Sequence, residues 1–207
     1  MRTVDWYFDF VSPYSYLCLY RLEELTDVSI AYRPVLFAGL LNHFGQKGPA
    51  EVPAKRRWTY RWCTWWARRL GVPFRFPAAH PFNPLQHLRL AIACDSRPEA
   101  VKRIFSDVWM SGENASDPKR IEALCASLGV DPARLASDEV KASLKENTEQ
   151  AAALGVFGVP TFVVDGQIFW GADSIDFLEA YLKDPATLRN DEIRRVDDLP
   201  VGAARKA

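Results

Sequence analysis

The chain has 207 residues, which is enough for a substantial core and indicates one domain rather than two. Its 26 basic and 26 acidic residues leave no net charge, so the composition excludes a strong global attraction to nucleic acid or to an anionic membrane. A hydrophobic content of 48% with 25% charged residues excludes a disordered or low-complexity chain.

The start of the chain carries no apolar segment of membrane-spanning or signal-peptide length. Asp5 and Asp9 interrupt the first apolar stretch, and no run of about eighteen apolar residues follows. The sequence therefore predicts a cytoplasmic protein that does not enter a membrane.

The N-terminal segment predicts a strand, a helix and a second strand. Residues 3–10 alternate and are rich in aromatic side chains, as in a strand. Ser12 followed by Pro13 is typical of a helix start, and apolar residues at helical spacing predict a helix that reaches Leu25. Residues 29–34 predict the second strand, which Pro34 ends.

The rest of the chain predicts a helical block and then a hairpin. Residues 37–53 predict a short helix and a surface loop, and residues 54–154 predict a series of amphipathic helices. Residues 161–164 and 167–170 predict two strands joined by a turn at Asp165-Gly166. Asp173 is expected to cap a last helix, and residues 184–207 to form a weakly ordered tail.

The cysteines and histidines form no metal-ligand or catalytic spacing. The four cysteines are far apart in sequence and form no CxxC pair, so we interpret them as buried apolar side chains; they are Cys18, Cys63, Cys94 and Cys125. The three histidines, His43, His80 and His87, are interpreted as structural, and no metal is expected.

Two short motifs carry most of the functional information. The tetrapeptide Ser12-Pro13-Tyr14-Ser15 lies where the first strand turns into the first helix, a position whose free N–H groups favour an anion, although a plain helix cap has the same sequence. The second motif, GVFGVPTF at residues 155–162, places Pro160 directly before a strand, where a cis bond would be a specific structural feature.

The second motif resembles the cis-proline signature of the thioredoxin superfamily, and the length of the helical block resembles the DsbA-like branch. That superfamily normally carries CxxC where this chain has Ser12-Pro13-Tyr14-Ser15, so dithiol exchange by this chain is excluded and an external thiol is required. The strings FDFVSPYSYL, PVLFAGLL and FWGADS resemble the glutathione-dependent 2-hydroxychromene-2-carboxylate isomerases and the related kappa-class glutathione transferases.

The resemblance implies an α/β fold: a thioredoxin-like (DsbA-type) domain with a large all-helical insertion. The domain is expected to comprise residues 1–45 and 155–183, the insertion residues 46–154 and the tail residues 184–207. Relatives of this kind are usually dimers, so a homodimer is expected.

The resemblance also implies a glutathione site. Ser12 is the expected catalytic residue, with its hydroxyl beside the glutathione sulfur; Val159 and Pro160 form the edge that holds the cysteinyl backbone. Ala172 and Asp173 are expected at the γ-glutamyl end, where Asp173 as a plain helix cap is an equal alternative. Gln46 and Lys55 are further expected contacts to the tripeptide. Many relatives have arginine where this chain has Ser174, which puts a cation at that position in doubt.

The activity implied by the resemblance is the interconversion of 2-hydroxychromene-2-carboxylate and trans-o-hydroxybenzylidenepyruvate in aromatic hydrocarbon catabolism, with glutathione as cofactor and a small aromatic carboxylate as substrate. The alternatives are a kappa-like glutathione transferase and a redox-silent thioredoxin-like binding module.

Residues 55–69 interleave arginines with tryptophans, of which Trp58, Trp62 and Trp66 share one helix face. This face either meets a planar substrate, with an arginine on its carboxylate, or packs in a core or a dimer interface. A nucleic-acid site is not expected, since no binding module accompanies the basic residues.

Overall fold

The computed structural model describes residues 1–203 and contains one mixed sheet flanked by helices. The first four regular elements are β1 (Arg2–Phe8), α1 (Pro13–Leu19), β2 (Val28–Pro34) and α2 (Phe37–His43). The helical block then comprises α3 (Pro53–Leu70), α4 (Leu85–Ala93), α5 (Pro98–Ser111), α6 (Pro118–Ser127) and α7 (Asp138–Ala153). The chain returns to the sheet in β3 (Thr161–Val164) and β4 (Gln167–Trp170), followed by α8 (Ile175–Lys183) and α9 (Asp191–Asp197).

The sheet has the strand order β2-β1-β3-β4. Strands β1 and β2 are parallel, as a β-α-β unit requires, whereas β3 pairs antiparallel with both β1 and β4. The two-residue turn at Asp165-Gly166 has positive φ at both positions, 51° and 76°, and this confirms the predicted hairpin. Helices α3 to α7 all lie within the predicted insertion, whose exact boundaries stay a prediction.

Three predicted elements differ from those observed. Helix α1 ends at Leu19, and Leu22 and Glu24 belong to a separate 3₁₀ turn, in which the N–H groups of Glu24 and Leu25 bond to carbonyls three residues earlier. Residues 71–84 are not helical, since Pro73, Pro77, Pro81 and Pro84 cannot continue a helix.

The third difference concerns the tail predicted from residue 184. It contains a 3₁₀ turn at Pro185–Leu188 and the exposed helix α9, which is capped by Asn190 through the N–H of Ile193. Residues 204–207 of the predicted tail lie outside the described residues.

An aromatic core joins the sheet to the helical block directly behind the first motif. Trp6 stacks on Phe8 with ring centroids 4.5 Å apart, and Phe10 lies 4.5 Å from Phe105 of α5. The buried indole N–H of Trp109 donates to the carbonyl of Phe10 at 2.9 Å. Phe105 and Trp109 of the insertion therefore hold Phe10 in place between β1 and α1.

Candidate active site

Ser12 is the N-cap of α1 and lies almost wholly inside the molecule. Its Oγ accepts the backbone N–H of Ser15 at 3.2 Å, so the hydroxyl proton is still available for donation. Pro13 follows at the first helical position, as predicted. Ser12 is 6% exposed, and a cavity opens in front of it. The Ser12 hydroxyl can therefore cap the helix as an acceptor and, at the same time, donate a hydrogen bond to a bound anion.

A buried carboxyl, which the sequence analysis did not assign, fixes the turn before Ser12. The Asp9 oxygens accept the N–H groups of Val11 at 3.0 Å and of Phe37 at 2.9 Å, and the Asp9 carbonyl accepts the N–H of Ser12. Asp9 has no exposed surface, and burial raises its pKa to about 7 despite these backbone hydrogen bonds. The only sequence signal was a carboxylate standing between two aromatic residues at the end of a strand.

His80 holds the same turn from the other side. Its Nε2 lies 2.8 Å from the carbonyl oxygen of Val11, and its Nδ1 lies 2.8 Å from the hydroxyl of Tyr60 on α3. Because a carbonyl only accepts, Nε2 carries the proton. The Tyr60 hydroxyl also lies 2.7 Å from the His80 carbonyl oxygen, so its single proton is shared between that oxygen and Nδ1. Burial lowers the pKa of His80, the bond to Val11 opposes this, and the charge of Arg56 lowers it further.

His80 was interpreted as structural, and the structure shows which part of the chain it holds in place. It positions the Val11 peptide next to Ser12, while Asp9 holds the N–H of the same residue.

The edge opposite Ser12 is formed by Val159 and Pro160, which are joined by a cis peptide bond. Within residues 1–203, no hydrogen bond occupies the N–H or the C=O of Val159, although the residue is only 7% exposed. An orphan backbone donor and acceptor at a cavity wall are suited to pairing with a peptide backbone. The residues present therefore fit the tripeptide that the sequence resemblance implies.

Two adjoining cavities meet at this edge. The inner cavity, about 260 Å³, contains Ser12, Asp9 and His80, and the outer cavity, about 470 Å³, contains Pro160 and Asp173. The residues common to both linings are Tyr14, Pro49 and Val159. The structure thus brings together five of the predicted site residues along one continuous cleft, namely Ser12, Val159, Pro160, Ala172 and Asp173.

The tryptophan face of α3 forms one wall of the outer cavity. Trp58 and Trp62 stack with ring centroids 6.1 Å apart, and Trp170 of β4 lines the same cavity. Trp58 is 65% exposed and Trp62 is 36% exposed, so these two side chains do not pack in the core of this chain, whereas the partly buried Trp66 packs against it. This face borders the cleft, and both its contact with a planar substrate and its packing in a dimer interface stay predictions.

Asp173 does not cap the last helix. The residue before α8 is Ser174, whose hydroxyl donates to the carbonyl of Gly171 at 2.7 Å. The Asp173 side chain is exposed, has no hydrogen-bond partner within residues 1–203, and lies against Gly171 at φ 99°, where a Cβ would overlap Oδ1. Its carboxylate remains available to a ligand in the outer cavity.

Gln46 and Lys55 line neither cavity. Both side chains are exposed, Gln46 in the loop after α2 and Lys55 in the first turn of α3. Lys55 precedes Trp58 by three residues and so shares its helix face. Their contact with a tripeptide stays a prediction.

The four cysteines are free and buried, as predicted. Burial raises the pKa of the Cys63 thiol to about 12 and raises that of Cys18 still further. A thiolate of this chain is therefore not formed near neutral pH. In the described part of the chain, no helix is long and apolar enough to span a bilayer.

Comparison with known proteins gives consistent results. A family model described as DSBA-like thioredoxin domain matches residues 3–183. The 2-hydroxychromene-2-carboxylate isomerase of Sphingobium xenophagum is 33% identical over 193 residues, covering 88% of this chain and 99% of the relative. Glutathione S-transferase kappa 1 of Homo sapiens is 28% identical over 201 residues, covering 86% and 89%. A solved 2-hydroxychromene-2-carboxylate isomerase structure has a TM-score of 0.76 at 26% identity, covering 96% of this chain and all of the other.

Proposed function

The chain belongs to the DSBA-like thioredoxin family, within the group of 2-hydroxychromene-2-carboxylate isomerases and kappa-class glutathione transferases, and we propose that it is a glutathione-dependent isomerase. The proposed reaction interconverts 2-hydroxychromene-2-carboxylate and trans-o-hydroxybenzylidenepyruvate, in the catabolism of aromatic hydrocarbons. The observation that carries the proposal is Ser12, which retains a free hydroxyl proton in a cleft whose facing backbone, at Val159, is unpaired.

When bound, glutathione would supply a thiolate for reversible addition to the conjugated alkene of the opened substrate, which makes that bond single and free to rotate until elimination of the thiolate restores the alkene. The Ser12 hydroxyl would donate a hydrogen bond to the sulfur, which stabilises the charged form and lowers the thiol pKa. Val159 binds the tripeptide backbone through its N–H and C=O. Asp173 pairs with the ammonium group at the γ-glutamyl end.

The inner cavity suits the aromatic substrate. Its walls include the rings of Phe37, His80 and Phe82, and its lining contains no Lys or Arg among the described residues. A substrate carboxylate is therefore expected outside this lining, and Arg56, whose charge acts on His80, is the candidate cation to pair with it. This orientation places the apolar ring inside and the charge outside.

The test is an ultraviolet assay of 2-hydroxychromene-2-carboxylate with and without glutathione. The proposal predicts conversion that requires glutathione and leaves its concentration unchanged. Turnover that is equally fast without glutathione would refute it.

The second candidate is a kappa-like transferase, favoured by the similarity to human glutathione S-transferase kappa 1. It predicts that glutathione is consumed against an electrophile such as chlorodinitrobenzene and that no isomerisation occurs. A binding module without enzymatic activity predicts neither reaction and no loss of any activity in Ser12→Ala.

A further inference from the structure

A third cavity, of about 470 Å³, lies away from Ser12 between α2, α4 and α7. Helix α2 separates it from the inner cavity, since Phe37, Ala38 and Leu41 face the site of Ser12 while Gly39 and His43 line the third cavity. Its volume is within the range of small-molecule sites. No role described above uses it.

The charged side chains around this cavity are mainly basic. Arg89 comes from α4, and Lys141 and Lys145 come from α7; the acidic side chain in the lining is Glu149. Each lysine has an acidic neighbour on its own helix, Lys145 with Glu149 at 3.7 Å and Lys141 with Asp138 at 3.6 Å.

Arg89 differs from the two lysines. Within residues 1–203 its guanidinium forms no ion pair, and its Nε is buried without a hydrogen-bond partner. The Nε is enclosed, but the two Nη groups are accessible and form no hydrogen bond with the described residues, so a bound anion can pair with them. Arginine presents its donors as a planar fork that matches a carboxylate.

The remaining side chains of the lining indicate what kind of molecule carries the anionic group. Leu36, Leu85 and Leu144 form an apolar surface beside Arg89, together with Ala152. An inorganic ion would leave this surface exposed to water, whereas an organic acid would cover it.

We propose that the cavity between α2, α4 and α7 binds an organic carboxylate, which pairs with Arg89 and lays its apolar body against the leucines. The proposal is independent of the reaction at Ser12.

The test uses 2-naphthoate as probe and 2-naphthalenemethanol as its neutral counterpart, titrated into the ¹⁵N-labelled full chain. Binding of 2-naphthoate should shift the Nε–H resonance of Arg89 and the amides of Gly39 and Thr148, with an affinity about tenfold above that of the alcohol. Saturating glutathione should leave these shifts unchanged.

Two variants and one control complete the experiment. Arg89→Met should remove the preference for the carboxylate, whereas Arg103→Met, on the exposed face of α5, should keep it. Ala153→Trp introduces a bulky side chain at an exposed lining position and should abolish binding while Arg89 is intact. Equal affinity for acid and alcohol, full binding by either cavity variant, or shifts confined to residues around Ser12 would overturn the proposal.

Discussion

Replacing Ser12 by alanine removes two interactions whose effects are measured separately. The first is the N-cap bond to Ser15, worth about 1 kcal/mol of stability, which corresponds to a melting shift of roughly 2–4 °C for a chain of this size. The second is the donor to the glutathione sulfur. A hydrogen bond to a charged group contributes about 1.5–3 kcal/mol, so its loss should raise the pKa of the bound thiol by about one to two units.

Ser137→Ala is the matched control. Ser137 caps α7 by accepting the N–H of Val140 at 3.3 Å and lies outside the cleft. Both variants should melt earlier by similar amounts, but only Ser12→Ala should shift the pH titration of the thiolate absorbance and lower the isomerisation rate about a hundredfold. If bound glutathione ionises equally in the two variants, the hydroxyl of Ser12 is a helix cap and nothing more.

Four further predictions test the site and the rest of the fold. The pKa of buried His87 is lowered to about 4, by burial first and then by Arg120. The folded state therefore binds the proton only at a lower pH than the unfolded state does. As a consequence, stability should fall by about 3 kcal/mol as the pH drops from about 6.5 to about 4, and urea titrations of His87→Phe should lack this loss. The raised pKa of Asp9 makes the free energy of unfolding fall as the pH rises from about 4 toward 7. Urea titrations of Asp9→Asn should lack this fall. His80→Phe fills the same space without the Nε2 donor to Val11, so it should reduce kcat while calorimetry finds glutathione affinity within about threefold; His80→Gln should restore part of the rate. Gly171→Ala should displace the Asp173 carboxylate and weaken glutathione binding at least as much as Asp173→Asn, and unchanged affinity in both variants would remove Asp173 from the site.

The sequence predicted those elements whose signals are local. Ser12-Pro13 starts a helix in almost any context, and Asp165-Gly166 supplies the two positive φ angles of a tight turn, so both are found where expected. The end of α1 was missed because Leu22 and Leu25 are buried from a separate 3₁₀ turn, so the apolar spacing continues past the last residue of the helix. Apolar periodicity alone does not show where the backbone hydrogen bonding changes.

The same distinction separates the site residues that were predicted from those that were missed. Ser12, Val159 and Asp173 stand in contiguous motifs, whereas the role of His80 exists only because its ring reaches a carbonyl 69 residues earlier in the chain. For Trp58 the spacing identified a helix face, but the direction of that face is set by how α3 packs against α1. Tertiary packing, not residue type, determines whether the Trp58 side chain lies in the core or at the cleft.

The shortness of α1 changes how an anion beside Ser12 is stabilised. A helix of seven residues offers a small dipole whose effect is limited to its first turn, and the inner cavity contributes no lysine or arginine from the described residues. The buried Asp9 carboxyl would repel a nearby thiolate when ionised, and its pKa of about 7 lessens this repulsion because part of Asp9 stays neutral near neutral pH. In the proposed reaction the thiolate is therefore expected to depend mainly on the Ser12 hydroxyl, since the inner cavity offers no cation from the described residues.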